Sequence, residues 1–370
     1  MMKLHSIIFV VVIAFAAAVA AQGTIGGSVW PQPVNLEMGA GGRVWLDARQ
    51  GANVDLPAGA SAVLVDGAKR YASLPGALFF PFGSAATTPS GAAPLTVSVA
   101  VADGGRNANL SLGVDESYSL SAGTVFGALY ALESLSQLIQ WDADAYFIEG
   151  LPTTITDSPR FPWRGLLVDT ARHYLHPDTI KSAIDVLAYN KYNVLHWHVT
   201  DAQSFPIESK IYPKLTLGAY NKRAVYSHEV VRDIVSYGFS RGVRVLPGTR
   251  PPPTTKSCIA TFTISEFDIP GHAAGFSFGY PEVTANCPRY SGNINNIALD
   301  VSNPFTYELL KGFLGEMAGL FSDDFMHLGG DEVVFGCWFN DPKIAQWAAS
   351  KGFSNGAQIE QYFEQQLQAM

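Results

Sequence analysis

From Phe161 onward, short apolar runs alternate with amphipathic segments, and a polar cluster follows each run. This alternation constrains the fold more than any other feature of the chain. Gly165–Val168 (GLLV), Val194–His198 (VLHWH), Val243–Leu246 (VRVL) and Phe325–Leu328 (FMHL) read as strands. The segments between them have helical spacing. Pro177 to Asn190 puts Ile180, Ile184, Leu187 and Ala188 on one face, with a proline suited to a first turn. Ser227–Arg241 and Pro304–Phe321 are further helices, and Pro342–Gln368 holds one or two more. Strand–helix repetition at this spacing predicts a parallel α/β architecture. The polar clusters are Asp169 with Arg172, then Asp201, then His272, then Asp331 with Glu332. Both a (β/α)8 barrel and a doubly wound sheet collect functional groups at the C-terminal ends of their strands. The first strand is followed by no glycine-rich phosphate loop.

The preceding region, 23–158, has a different texture: Gly, Ala, Ser and Pro with short alternating runs. Leu95–Val101 and Ser117–Leu120 alternate as strands do, and Thr124–Ile139 carries leucines at helical spacing. A small α+β domain is expected here, with Thr156–Pro159 as a turn-forming junction to a second domain over 159–370. Residues 1–20 read as a signal peptide. Lys3 precedes an apolar run from Ile7 to Ala18, and Ala18-Val19-Ala20 fits the cleavage rule. The run is too short to span a bilayer comfortably, and no later run of 18 apolar residues exists, so no membrane span is expected. The expected destination is extracellular, or the lysosomal or vacuolar lumen. Asn109-Leu110-Ser111 is a glycosylation sequon that agrees with this route.

Charge narrows the partners. With 24 Lys+Arg against 32 Asp+Glu the net charge is −8, and no basic run exists, which argues against nucleic acid. Three cysteines are too few for a disulfide scaffold, and none is spaced as in a zinc knuckle.

Adjacent acids on extended backbone point in different directions, so Asp331 and Glu332 are expected to have different jobs. Glu332 has the longer reach and suits a proton donor to a leaving oxygen. His196 and His198, two apart on a strand, face one side. Either they bind a metal or a His–Asp relay tunes a neighbouring acid. His272 follows a third strand, and Arg172 offers a fork of donors for a substrate hydroxyl.

Residues 161–370 resemble the catalytic domain of family 20 glycoside hydrolases, the β-N-acetylhexosaminidases. The matching stretches are RGLLVDTARHYL (164–175), YNKYNVLHWHVTDAQSFPIES (189–209), EFDIPGH (266–272) and HLGGDEV (327–333). Residues 23–158 are similar to the domain that precedes the barrel in that family, through VWPQP (29–33) and GALYALESLSQL (127–138). The resemblance implies a TIM barrel without cofactor or metal. It implies removal of terminal non-reducing N-acetylglucosamine or N-acetylgalactosamine with retention, the substrate's acetamido oxygen acting as nucleophile. Its substrates would be oligosaccharides and glycoprotein or glycolipid glycans. Glu332 would then be the general acid and later the base. Asp331 would orient the acetamido group, and Arg172 would hold the 3- and 4-hydroxyls. His272 and Asp201 would form the relay behind Glu332, with His198 beside them. Cys287 and Cys337 match a disulfide of animal members. Family members often dimerise, so the full-length form is a candidate homodimer.

Two departures from the family's pattern shape the expectations. An insert at 248–265 (GTRPPPTTKSCIATFTIS) interrupts the third strand, and its three consecutive prolines cannot pair in a ladder. An unspliced intron would explain it. Only about four of the barrel's eight strands are present, and the aromatic residues that would close the sugar pocket are missing. A truncated chain of low solubility and impaired turnover is therefore expected. The alternatives are a non-catalytic sugar-binding fragment and a metal-dependent hydrolase built on His196, His198, His272 and Asp331.

Overall fold

A computed structural model of the chain describes residues 29–73, 78–81, 88–102, 108–113, 117–142, 144–245, 265–321 and 326–370. The signal-peptide expectation and nearly all of the insert, including Cys258, lie outside these residues. Two compact units divide the chain between Pro159 and Arg160.

The first unit is built on a six-stranded mixed sheet. Its strands are β1 (Asn35–Met38), β3 (Ala52–Asp55), β4 (Leu95–Val101), β5 (Ala108–Leu112), β6 (Tyr118–Ala122) and β9 (Thr153–Asp157). Their order is β1-β9-β5-β6-β4-β3. A small sheet joins β2 (Val44–Leu46), β8 (Ala145–Ile148) and β7 (Gln140–Asp142). Strands β5 and β6 alternate buried and exposed residues, so each has one apolar face. Two helices, α1 (Ala62–Ala72) and α2 (Val125–Leu138), contribute Leu64, Leu129, Leu132 and Leu135 to the same core as Leu95, Val97, Leu110 and Leu120. Each starts at a hydroxyl cap: Ser61 accepts from the Leu64 N–H, and Thr124 from the Gly127 N–H. Asn109 sits in β5 with its side chain on the exposed face.

The second unit is α/β with an open parallel sheet. β10 (Gly165–Asp169) pairs with β11 (Val194–Thr200) from Gly165↔Val194 to Asp169↔His198. The other edge of β11 carries two short strands. β12 (Arg244–Val245) lies against Val194 and Leu195, and β13 (Ser265–Phe267) against Trp197 to Thr200. The third strand position is thus shared by the residues that flank the insert. This is how the site can follow β13 even though proline cannot propagate a ladder. Of the fourth strand expected at Phe325–Leu328, Phe325 lies outside the described residues, and Met326–Leu328 do not form a regular strand. Among the described residues that position is a single bridge, where the Phe267 N–H donates to the His327 carbonyl at 3.1 Å. Two glycines follow at once, and glycine weakens a strand.

Helices α3 (Pro177–Tyr189), α4 (His228–Phe239) and α6 (Pro304–Ala318) cover the sheet, while α5 (Ala274–Ser277) is a single turn. Ile180 and Ile184 of α3, Val231 and Ile234 of α4, and Leu309 and Phe313 of α6 are fully buried. They share one core with Leu195, Trp197 and Val199 of β11. Each such aliphatic or aromatic side chain contributes about 1.5–3 kcal/mol of transfer free energy. The chain ends in α7 (Phe335–Asn340), α8 (Pro342–Ser350) and α9 (Gly356–Gln368). Asp341 caps α8, and Asn355 with Gln358 forms a capping box on α9. Cys287 and Cys337 form a disulfide that ties the loop after α5 to α7.

Candidate active site

Asp169 ends β10, Arg172 and Asp201 follow β10 and β11, His272 follows β13, and Asp331 and Glu332 follow the His327 bridge. The loop after β10 is shaped by its own first acid. Asp169 Oδ1 accepts from the Ala171 and Arg172 N–H groups, each at 3.0 Å. Hydroxyls of the neighbouring loops then fix it. Ser204 Oγ donates to the Ala171 carbonyl at 2.7 Å, and the Tyr220 hydroxyl to the Arg172 carbonyl at 2.6 Å. Tyr226 clamps both the N–H and the carbonyl of Leu175. The Arg172 guanidinium therefore leaves a rigid turn. Its Nη1 is 3.1 Å from Asp169 Oδ2, and its Nη2 is 2.6 Å from Asp201 Oδ2.

Asp201 is the hub. Its side chain is fully buried. Oδ2 is 2.8 Å from His198 Nε2, and Oδ1 is 3.0 Å from His272 Nδ1. The Ala202 N–H also donates to Oδ1. Burial alone would raise this carboxyl, but the hydrogen bonds from His198, His272 and Ala202 hold it well below the usual carboxylate range. His198 Nε2 also lies 3.0 Å from Arg172 Nη1. One nitrogen cannot donate to Asp201 and accept from Arg172 at once, so Asp201 and Arg172 compete for it. The bond to Asp201 raises the proton affinity of His272 above the ordinary imidazole value, against the opposing effect of burial.

His272 passes the chain of contacts to Glu332. Its Nε2 lies 3.3 Å from Glu332 Oε2, and the Glu332 side chain is 74% exposed. The acid thus faces solvent, as a group that meets a substrate must. His272 and Glu332 both adopt positive φ, 51° and 53°. Non-glycine residues there cost of order 1–3 kcal/mol each, and such strain clusters at functional sites. Gly330, at φ 102°, makes the turn that presents Asp331 and Glu332. Asp331 is exposed beside it.

The structure therefore brings Arg172, His198, Asp201, His272 and Glu332 into one connected array. The His196 ring packs edge-on against His327, with centroids 5.8 Å apart. Polar atoms of Asp201, Asp268 and His272 lie within 4.8 Å of one another, a spacing a cation could use. Arg172 already supplies the positive charge there, 2.6 Å from Asp201.

Sequence reasoning missed two participants. Tyr220 fixes the Arg172 main chain, and nothing in its sequence surroundings marks it. Asp268 is 4% exposed and accepts the Gly330 N–H through Oδ1 at 3.2 Å. Its Oδ2 is 3.6 Å from His272 Nδ1. An acid four residues before the strand-end histidine was the available signal.

A parallel strand–helix scaffold with linked carboxylates, imidazoles and a guanidinium on its strand ends defines an α/β protein built for acid–base chemistry. Comparison with known proteins narrows the class. The catalytic domain of glycosyl hydrolase family 20 matches residues 161–370, and the chain belongs to that family. Beta-hexosaminidase subunit A1 of Dictyostelium discoideum is 42% identical over 299 residues, which cover 78% of this chain and 52% of that protein. Beta-hexosaminidase 3 of Arabidopsis thaliana is 35% identical over 354 residues, 90% of this chain and 61% of that protein. Among solved structures, the chitobiase of Flavobacterium johnsoniae superposes with a TM-score of 0.72 at 26% identity, covering 92% of this chain and 50% of that one. The chain spans about half the length of the curated relatives it matches.

Proposed function

We infer that the chain carries the acid–base half of an exo-acting β-N-acetylhexosaminidase. The carrying observation is the unbroken array from Arg172 through Asp201 and His272 to an exposed Glu332. In this reading Arg172 holds hydroxyls of the terminal sugar, and Asp331 orients its 2-acetamido group. The acetamido carbonyl oxygen attacks C1. The bond from C1 to the glycosidic oxygen breaks, and that oxygen takes the proton of Glu332. Water then attacks C1 from the face the leaving group vacated and yields its proton to the Glu332 carboxylate, which restores the acid, while the bond from C1 to the acetamido oxygen breaks and the amide re-forms. The sugar is released with its configuration retained. The nucleophile belongs to the substrate, so one enzymic acid beside one orienting acid suffices.

His272 and Asp201 support Glu332 from behind. With the Nδ1 proton held by Asp201, Nε2 faces Glu332 and follows its change of protonation. Substrates of this class are oligosaccharides and glycoprotein or glycolipid glycans that end in N-acetylglucosamine or N-acetylgalactosamine. A lumenal or extracellular setting fits the apolar leader, the exposed Asn109 sequon and the Cys287–Cys337 disulfide.

The test is release of p-nitrophenol from its N-acetyl-β-glucosaminide by the wild-type chain and by Glu332→Gln. Loss of the acid is expected to lower the rate by about 10²–10⁴-fold. A Glu332→Gln rate near wild type would remove the assignment.

A further inference from the structure

We propose that Asp268 is a positioning residue that acts on both sides of the catalytic acid: it anchors the turn beneath Asp331 and Glu332, and it polarises the His272 ring that faces Glu332. This rests on the reading of Glu332 as the proton donor. The geometry is specific. Asp268 is buried at the end of β13, one oxygen on the Gly330 N–H and the other 3.6 Å from His272 Nδ1. Gly329 packs flat on it. A Cβ built there would come within 2.3 Å of Asp268 Oδ1 and 2.8 Å of its Cα. On the reverse side Gly271 lies against the turn, where a Cβ would meet the Asp331 carbonyl at 3.1 Å. The loop after β13 and the acid-bearing turn therefore interlock through two glycines, with Asp268 as their polar pin.

The electrostatics follow from that placement. Burial pushes Asp268 up to about 6, against the opposing pull of the Gly330 N–H and His272; Asp331 and Asp201 add to the rise. His272 is faced by Asp201, Asp268, Arg172 and Glu332. Asp201 stays ionised throughout the working range, so it holds a constant charge on His272. Asp268 changes charge in mildly acidic solution. Below that point it adds nothing to the imidazole, and above it adds a second negative charge. The proton affinity of the relay is thereby tied to pH through a residue that does not meet the substrate.

Two variants separate the functions. Asp268→Asn keeps an oxygen for the Gly330 N–H and removes the charge. Asp268→Ala removes both. The readout is ¹⁵N chemical shift of the His272 ring across pH in the full chain, assigned by its loss in His272→Gln. In Asp268→Asn the His272 midpoint is expected to fall, because one of the negative charges that raise it is removed. Gly330 amide exchange should stay slow in Asp268→Asn and accelerate in Asp268→Ala. An unchanged His272 midpoint in Asp268→Asn would overturn the proposal. If that variant does not fold, the wild-type chain decides. The Asp268 carboxyl ¹³C signal and the His272 ¹⁵N signal should share a step near pH 6, and a carboxyl step with no counterpart in His272 would contradict the coupling. None of these measurements uses turnover, so they stand apart from the fate of the Glu332 assignment.

Discussion

Arg172 shows how much a single side chain can be asked to hold. Its guanidinium already bridges Asp169 and Asp201 while remaining one-third exposed toward the site. A lysine ammonium is a point charge and cannot span both acids and a sugar hydroxyl. Arg172→Lys is expected to raise KM by about 10-fold or more, since a charged hydrogen bond contributes roughly 1.5–3 kcal/mol. Steady-state kinetics on the N-acetyl-β-glucosaminide check this. Asp268 governs stability as well as the relay. Its carboxyl is raised to about 6 by burial, so the folded chain holds a proton that the unfolded chain has released above about pH 4. Stability from this group is full below about pH 4 and is lost as pH rises through about 6. Urea midpoints of the wild type should fall across that window, and Asp268→Asn should flatten the fall. Asp201 works in the opposite sense and only in more acidic solution, because its carboxyl is depressed. Arg172, Asp201, His272, Asp331 and Glu332 were legible in the sequence because each follows an apolar run at a strand end. Asp268 and Tyr220 were not. Asp268 had one local mark, its place four residues before His272, but its contact with the Gly330 N–H and that of Tyr220 with the Arg172 carbonyl join distant loops, and a pattern along the chain carries no record of them.

At the scale of elements, the strand–helix alternation was readable because β10 and β11 are short apolar runs, while α3 and α4 bury one face each and start at capping side chains. The third and fourth strand positions were harder. β12 and β13 are two and three residues long, and pairing with β11 rather than local propensity defines them. The apolar letters Phe325–Leu328 suggested a strand, yet among the described residues one bridge to Phe267 is what forms. The close approach of the turn at Gly329 to Asp268 explains why the chain does not extend regularly there. Gly329→Ala should displace Asp268 and loosen the whole turn. Loss of thermal stability with weakened protection of the Gly330 amide is the expected result, and a variant as stable as wild type would contradict the interlock. The Cys287–Cys337 bridge joins residues 50 apart. On the chain-entropy account its removal costs about 4 kcal/mol. Paired serine substitutions at both positions should lower urea stability by about 2–4 kcal/mol.

At the scale of the whole molecule, the sheet of the second unit is open. Among the described residues β10 pairs with β11 alone, and Leu166 and Leu167 are 48% and 50% exposed. An unpaired apolar edge is a template for association. Light scattering should show mass growing with concentration, and Leu167→Lys should suppress that growth; a wild-type chain monomeric at all concentrations would contradict this. The α+β class of the first region and the parallel α/β class of the second were legible from texture; the partial barrel came from the family resemblance. The detailed topology of the first sheet was not, because its order depends on long-range pairings such as β5 with β9. The central claim concerns chemistry: Glu332 delivers a proton to the departing oxygen while the sugar's own acetamido group attacks. Its most direct test compares two substrates with the same leaving group, p-nitrophenyl N-acetyl-β-glucosaminide and p-nitrophenyl β-glucoside, on the wild-type chain. Cleavage of the first and no measurable cleavage of the second is expected. Equal rates on both would mean that the nucleophile is not the acetamido oxygen, and the roles given to Asp331 and Glu332 would fall with it.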